Sequence, residues 1–235
     1  MNELYTLAKI DQLSMAVKQI TKMTLKELKS EVETRYHILL RAILFYNYSK
    51  YLNHPDTSGE KECADRSVFI RRIRYAFWFL CVLELCKIFG NKDTDKFRFK
   101  KLFNKLKYRY SSAPWREKLS KAQIEIWEHS FGEEMTIQCI RKLEGLRDQY
   151  YAHSDKHPDK EIDELTPDFQ EVECLITFGK KIILEISEKV FESDKLFEVP
   201  ISERAENILN KLLKSEQLIR EEELKDVHRL RDRIS

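Results

Sequence analysis

Glycine and proline are scarce in this chain, which has only five of each among its 235 residues. Dipeptides that mark tight turns are almost missing, whereas β-sandwiches and β-barrels need such signals between their short strands. The scarcity argues against those β classes and favours an all-helical fold.

Cysteine is also infrequent, and its distribution argues against two common roles. The cysteines are odd in number and widely scattered, and most of them lie within apolar runs: Cys63, Cys81, Cys86, Cys139 and Cys174. A disulfide framework or a zinc site would need paired or closely spaced cysteines. We therefore expect free thiols in a reducing compartment.

The chain also lacks a strong excess of either charge and an apolar run of membrane length. Its 42 basic and 40 acidic residues nearly cancel, so nucleic-acid binding would have to come from local clusters. The apolar run at 75–90 contains Glu84 and Lys87 and is shorter than the roughly 20 residues that a membrane span needs. The N-terminus carries Glu3 and Asp11, where a signal peptide would be apolar. These features predict a cytoplasmic protein with no membrane partner.

Helical periodicity dominates the rest of the sequence. Apolar residues recur at steps of three and four along 24–53, where Thr24 and Glu27 form a capping box, and a loop is expected at 53–60. Further helices are predicted over 65–89, 96–110, 115–130, 133–153, 166–191 and 201–234. We expect an up-and-down helical bundle over residues 1–198 and a charged helical extension over 199–235.

One short stretch, GLRDQYYAHSDKH at 145–157, concentrates side chains that can perform chemistry. It holds Arg147, Asp148 and His153 in the pattern R-D-x-x-x-x-H. Six residues along an α-helix correspond to about 120° of rotation and about 9 Å of rise, so Arg147 and His153 would not share a face. A lone histidine at such a place is commonly a hydrogen-bonded residue at the edge of a core. The pattern alone leaves a structural and a chemical role open.

The motif resembles that of the HEPN superfamily, which comprises all-helical domains of bacterial defence and toxin–antitoxin systems. Its members carry an arginine, often followed by a polar residue, and a histidine shortly after it. The segments LRDQYYAHSD, LCVLELCKIFG and FRFKKLFNKL are similar to the abortive-infection, AbiU2-like branch. The resemblance extends over residues 10–195 and implies a bundle of HEPN type.

The resemblance also implies a metal-independent endoribonuclease that acts as a homodimer, in which a partner helix brings a second copy of the motif close. The 2′-OH of the RNA would attack the phosphate and leave a cyclic phosphate end. His153 is then the general base or acid, Arg147 stabilises charge on the phosphate, and Asp148 orients one of them. An antitoxin protein is a further implied partner. The alternative is a non-catalytic interaction or RNA-binding module, since part of the superfamily does not cleave RNA.

A basic segment adds a candidate contact to RNA. Residues 96–109 contain seven basic side chains and no acid, interleaved with Phe and Tyr. We expect one face of this helix to contact phosphates through Lys100, Lys101, Lys105 and Lys107. The same face could instead be a solvated surface that is balanced by acids of neighbouring helices. Tyr151 is a candidate for stacking on a base, although paired aromatic residues at helical spacing also belong to cores.

No metal and no cofactor are expected. The string His153, Asp155 and His157 has the residue types of metal ligands but lacks an obvious further ligand. Glu84 lies in an otherwise apolar turn and needs a partner, for which Lys87 and Arg147 are the candidates.

Overall fold

The computed structural model describes residues 23–92, 94–108, 110–151, 166–195 and 197, and separate positions between 210 and 225, with the backbone alone for 149–151. Within these ranges every regular element is helical. The α-helices are α1 (Leu25–Asn53), α2 (Ser58–Arg66), α3 (Val68–Phe89), α4 (Phe99–Lys107), α5 (Lys121–Phe131), α6 (Glu134–Gly145) and α7 (Phe169–Phe191). A 3₁₀ turn (Tyr110–Ser112) follows α4, and a π-helical segment (Leu146–Tyr151) continues α6. The predicted all-α fold is confirmed.

The bundle is centred on the long helices. Helix α1 packs against α3 and α7, and α6 contacts both α3 and α7. Close approach of α7 depends on Gly179, where an added Cβ would lie 2.9 Å from Cζ of Phe89 and 3.1 Å from Cδ2 of Leu39. In the part of the chain that the structure describes, no helix combines the length and the apolarity needed to cross a membrane.

Helix α1 begins where its capping box predicts. The Glu27 amide donates to Thr24 Oγ1 at 3.2 Å, and the Thr24 amide donates to Glu27 Oε2 at 2.7 Å. Each of these bonds satisfies a backbone donor that the first helical turn would otherwise leave without a partner.

The predicted loop at 53–60 and the start of the 65–89 helix are wrong. A second capping box, formed by Thr57 and Glu60, starts α2 inside the predicted loop. The chain then breaks at Ser67, whose extended backbone ends α2 and whose hydroxyl caps α3. Thr57 and Glu60 have the same capping-box spacing as Thr24 and Glu27. The neighbouring Pro55 and Gly59 led us to predict a loop there instead.

Two other predicted helix starts fall too early. Helix α5 begins at Lys121 after its cap Ser120, and buried Trp115 lies in the preceding turns rather than in a helix. Helix α7 begins after Asp168, which forms a capping box with Glu171, so Pro167 precedes the helix. Both helices start at a residue whose side chain accepts a backbone hydrogen bond.

The predicted C-terminal helix lies mostly outside the described residues. The positions that are described between 210 and 225 are helical, and Leu213 lies beside Gly59 of α2, with 3.6 Å between its Cδ2 and a Cβ built on that glycine. The boundary between a bundle at 1–198 and an extension at 199–235 stays a prediction.

Candidate functional site

The candidate site lies where α6 changes its winding. Helix α6 buries Cys139, Ile140 and Leu143 against the core, and Leu146 continues this buried stripe. From Leu146 to Tyr151 the backbone is π-helical. Such wider turns are rare and frequently lie at functional sites.

Arg147 is held by three carboxylates. Its Nε donates to Asp148 Oδ1 at 2.8 Å, and its Nη2 donates to Asp148 Oδ2 at 3.4 Å. Its Nη1 donates to Asp95 Oδ2 at 3.5 Å, and Glu144 Oε1 lies 3.9 Å from Nη2. Only 15% of the Arg147 side chain is exposed, so the guanidinium lies within this group of carboxylates and not in open solvent. The hydrogen bond to Asp148 is the main reason why the pKa of Arg147 is raised.

Asp148 joins Arg147 to a second cation. Lys92 Nζ donates to Asp148 Oδ1 at 2.7 Å. The hydrogen bond from Arg147 and then that from Lys92 hold the pKa of Asp148 below its usual range. Asp148 is therefore an anion at neutral pH that contacts the arginine, and its part in catalysis stays a prediction.

The connection between α3 and α4 supplies the other side of the site. Gly90 ends α3, and an added Cβ there would lie 2.5 Å from the Cys86 carbonyl oxygen and 3.1 Å from Glu144 Oε1. The next residue, Asn91, donates its amide to Glu144 Oε1 at 2.5 Å. The absence of a side chain at Gly90 thus lets this connection run against α6.

Two buried arginines, Arg98 and Arg35, hold the α3–α4 connection through hydrogen bonds to its backbone. Arg98 is 5% exposed and its Nη1 donates to the Asn91 carbonyl. Arg35 of α1 is fully buried and donates from Nη2 to the Arg98 carbonyl at 3.2 Å and from Nη1 to Glu31 Oε2 at 2.7 Å. A continuous set of polar contacts therefore links α1 to the α3–α4 connection, which lies beside Arg147.

A family model described as HEPN AbiU2 matches residues 22–207. The chain belongs to this family. AbiU2 domains are HEPN domains associated with abortive infection, so the resemblance noted in the sequence is confirmed at the level of the family. No curated protein and no solved structure matches the chain.

The charges around Arg147 in this HEPN domain add up to about minus one, from Arg147, Lys92, Asp95, Glu144 and Asp148. Three of the five N–H donors of the guanidinium make hydrogen bonds to carboxylates among the described residues, so a phosphate could use the others but would approach against this net negative charge. Beneath the cluster, burial raises the pKa of Cys86 to about 12 despite the opposing charge of Arg147. That thiol stays protonated near neutral pH and is not a nucleophile.

The sequence identified Arg147 and Asp148 but missed their partners. Glu144 lies three residues before Arg147, and helical spacing was a signal that could have found it. Asp95 and Lys92 carried no such signal, because they are 52 residues or more from the motif.

The predicted phosphate-binding lysines divide into two groups. Lys105 pairs with Glu31 and Lys107 pairs with Glu128, each with 2.5 Å between nitrogen and oxygen. For these two, the interpretation of a surface balanced by neighbouring acids has direct support. Lys100 is exposed on α4, and Lys101 is half-buried there.

The other predicted site residues lie beyond what the structure describes. His153, Asp155 and His157 are outside the described residues, and Tyr151 has a described backbone but no described side chain. Among the described residues no group of three or more His, Cys, Asp or Glu could hold a metal ion. Glu84 pairs with Lys87 at 2.6 Å and with Arg41 at 3.0 Å, so of its two candidate partners Lys87 is confirmed and Arg147 is not.

Proposed function

We propose that this HEPN AbiU2 protein is a metal-independent endoribonuclease of bacterial phage defence or of a toxin–antitoxin pair, acting in the cytoplasm. The observation that carries the proposal is the pre-positioned Arg147–Asp148 pair on a π-helical segment, six residues before His153. Membership of an abortive-infection family supports the biological setting.

The chemistry assigns separate tasks to His153 and Arg147. His153 removes the proton from a 2′-OH or supplies one to the departing 5′ oxygen. The 2′ oxygen bonds to phosphorus, the bond from phosphorus to the 5′ oxygen breaks, and the products are a 2′,3′-cyclic phosphate and a 5′-OH. Arg147 stabilises the extra negative charge that develops on the phosphate oxygens, because a planar guanidinium can donate two parallel hydrogen bonds.

The partners follow from the same mechanism. The substrate is RNA, since only RNA carries the 2′-OH. A homodimer would bring two copies of the motif together, and an antitoxin protein would restrain the activity. Lys100 is the lysine of the basic segment that we retain for phosphate contacts, because it is exposed on α4, whereas Lys105 and Lys107 pair with acids.

A second function is favoured by one specific observation. The carboxylates of Asp95, Glu144 and Asp148 surround Arg147 at distances of 2.8 to 3.9 Å, as in a structural ion-pair cluster. If Arg147 serves mainly to hold the α3–α4 connection against α6, the domain is a non-catalytic interaction or RNA-binding module.

The deciding experiment is cleavage of total bacterial RNA by the purified protein in excess EDTA. We expect cleavage to persist without metal and the new ends to carry a 2′,3′-cyclic phosphate. His153→Ala should lower the rate at least about 100-fold, the lower range for loss of a general acid or base. His129→Ala is the matched control, because that histidine is 86% exposed and far from the motif in sequence.

Arg147→Ala should reduce cleavage as strongly, whereas Arg141→Ala, at an exposed position of α6, should not. A folded protein that cleaves no RNA with or without its infection trigger would contradict the nuclease and favour the module. Cleavage that EDTA abolishes would contradict the 2′-OH mechanism.

A further inference from the structure

Helix α7 presents one exposed face to the outside of the bundle. Its exposed side chains recur at alternating steps of four and three residues: Gln170, Cys174, Thr177, Lys181, Leu184 and Glu188. This spacing keeps all six on one side of the helix, away from the side that packs into the core. We call this side the α7 face. A stripe with this period is the kind of surface that another helix can pack against.

The first half of the α7 face borders a concave surface of about 820 Å³ beside the end of α1. Lys50 and His54 of α1 form one side of it, and Phe169 and Phe178 of α7 contribute aromatic rings. Phe169 is held edge to face against His54, with 5.5 Å between ring centroids. The concave surface therefore offers apolar contact beside a polar stripe, which is the usual make-up of a protein–protein interface.

The α7 face carries two opposite charges on one ridge. Glu173, Thr177 and Lys181 are each four residues apart and so are neighbours along the helix surface. Glu173 accepts hydrogen bonds from Lys50 at 2.8 Å and from the Tyr46 hydroxyl at 2.9 Å, which hold its carboxylate at the edge of the face.

Lys181 is exposed, and we find no ion pair or hydrogen bond for it among the described residues. It cannot pair with Glu173 of its own chain, because eight residues of α-helix separate the two by about 12 Å. A carboxylate from another molecule could therefore bind Lys181 without breaking an existing ion pair.

A two-fold axis through Thr177 would pair these charges between two copies of the chain. Glu173 and Lys181 are each four positions from Thr177, on opposite sides of it. In an antiparallel pair of α7 helices, each Glu173 would thus lie beside Lys181 of the partner subunit. Ridges of residues four apart interdigitate in the commonest class of helix packing. The face is self-complementary, as a two-fold interface requires.

Charge also selects this register over its neighbours. An axis half a heptad further along α7 would place Glu173 opposite Glu188 and Lys180 opposite Lys181, and like charges in such positions repel. The opposite shift would carry Lys181 past the start of the partner helix. The register centred on Thr177 is the one of these three that places opposite charges together.

We infer that the α7 face is the contact surface between two copies of this chain, packed antiparallel about Thr177. The inference rests on the proposed function only for the existence of a homodimer, and it adds where the two copies meet. Helix α6, which leads into the Arg147 segment, packs against α7, and Lys142 of α6 donates to Glu171 of α7 at 2.7 Å. A dimer through α7 would thus hold both motif-bearing helices one helix away from the shared surface.

The first test exchanges the paired charges. Lys181→Glu should raise the dissociation constant of the dimer roughly 10-fold or more, because each dimer loses two attractive pairs and gains two repulsive ones. Glu173→Lys should act likewise. A mixture of the two variants should form a heterodimer with near wild-type affinity, since both contacts then join opposite charges. Lys29→Glu, at an exposed position of α1, is the matched control and should leave the affinity unchanged. Sedimentation equilibrium of the full chain measures each constant.

The second test locates the two-fold axis. Thr177→Cys in a Cys174→Ser chain should form a disulfide-linked dimer on mild oxidation, because the two introduced thiols would lie beside the axis. The remaining cysteines are buried and should not react. Leu184→Cys in the same background is the control, since the two copies of that residue would lie about 21 Å apart along the antiparallel helices.

The outcomes separate the α7 face from the nuclease, because neither test measures cleavage. A dimer that Lys181→Glu weakens and Thr177→Cys traps would support the α7 face even in a protein that cleaves no RNA. A monomer at all concentrations, or a dimer that both changes leave unaffected, would overturn the α7 face whether or not RNA is cleaved. Failure of the two charge variants to form a heterodimer would also overturn it.

An exposed apolar pair at the start of α3 provides the rival surface. Val68 is 54% exposed and Phe69 is 66% exposed, and such residues also suit a protein contact. We favour the α7 face because its charges match those of a second copy. A dimer that Phe69→Ala dissociates and Lys181→Glu does not would assign the contact to α3 and overturn the inference.

Discussion

Arg147 shows how neighbouring carboxylates can hold one side chain in position. Asp148, its neighbour in sequence, accepts hydrogen bonds from Nε and Nη2, Asp95 accepts one from Nη1, and Glu144 lies 3.9 Å from Nη2. A phosphate approaching Arg147 therefore meets the negative charge of three carboxylates. Lys92 offsets part of this charge, because it pairs with Asp148.

The Arg147–Asp148 pair should make the free energy of unfolding depend on pH. The pKa of Asp148 is lower in the folded chain than the ordinary aspartate value of about 3.9, so its stabilising effect is present above that value. The effect is lost as the pH falls through the folded pKa. We expect Asp148→Asn to reduce the free energy of unfolding at pH 7 by about 1 kcal/mol or less, since the side chain is 38% exposed.

The measurement is thermal unfolding of both proteins between pH 7 and pH 3. The difference between wild type and Asp148→Asn should be constant near neutral pH and shrink below about pH 4. Asp56→Asn, at an exposed position, is the control, and its thermal stability should equal that of the wild type at both pH 7 and pH 3. A difference that grows in acid would contradict the assignment.

At the scale of the elements, two glycines allow helices to approach each other. Gly90 lets the α3–α4 connection pass α6 and place Asn91 against Glu144. Gly179 lets α7 pack against Phe89 of α3 and Leu39 of α1. Both positions have neighbours that an added methyl group would meet, so the spacing of the elements depends on them.

Gly179→Ala should lower the free energy of unfolding by about 1–3 kcal/mol, because its methyl group would overfill a packed core. Gly59→Ala is the matched change, since an added Cβ there would be in ordinary contact, 3.6 Å from Leu213. That variant should be unchanged or stabilised by up to about 1 kcal/mol, because alanine favours helix. Denaturant unfolding of the two variants would test this, and equal stabilities would contradict the packing argument.

For the whole molecule, the main prediction concerns how many chains build one site. If Arg147 of one chain acts with His153 of its partner, two different inactive variants should complement each other. A heterodimer of Arg147→Ala and His153→Ala would then contain one intact site out of two. We expect about half of the wild-type cleavage rate from the purified heterodimer.

The heterodimer can be isolated by co-expression with two different affinity tags. Each homodimer of a single variant is the control and should be inactive. An inactive heterodimer would show that Arg147 and His153 of the same chain act together. A purified protein that is monomeric at all concentrations would contradict the homodimer itself.

The sequence by itself determined the features that depend on neighbours along the chain. Scarce glycine and proline with a three-to-four apolar period specified helices, and the Thr24–Glu27 box placed the start of α1. Adjacent residues in the R-D-x-x-x-x-H motif identified the family and the Arg147–Asp148 pair. These signals are local, because helical hydrogen bonds and caps join residues that are at most a few positions apart.

Only the tertiary structure decided which distant groups meet. Asp95 reaches Arg147 across 52 positions, and Lys105 pairs with Glu31 across 74. The change from α- to π-helical winding at Leu146 also had no signal in the apolar period. Such contacts depend on how helices pack in three dimensions. Composition and periodicity describe each helix separately and do not contain that arrangement.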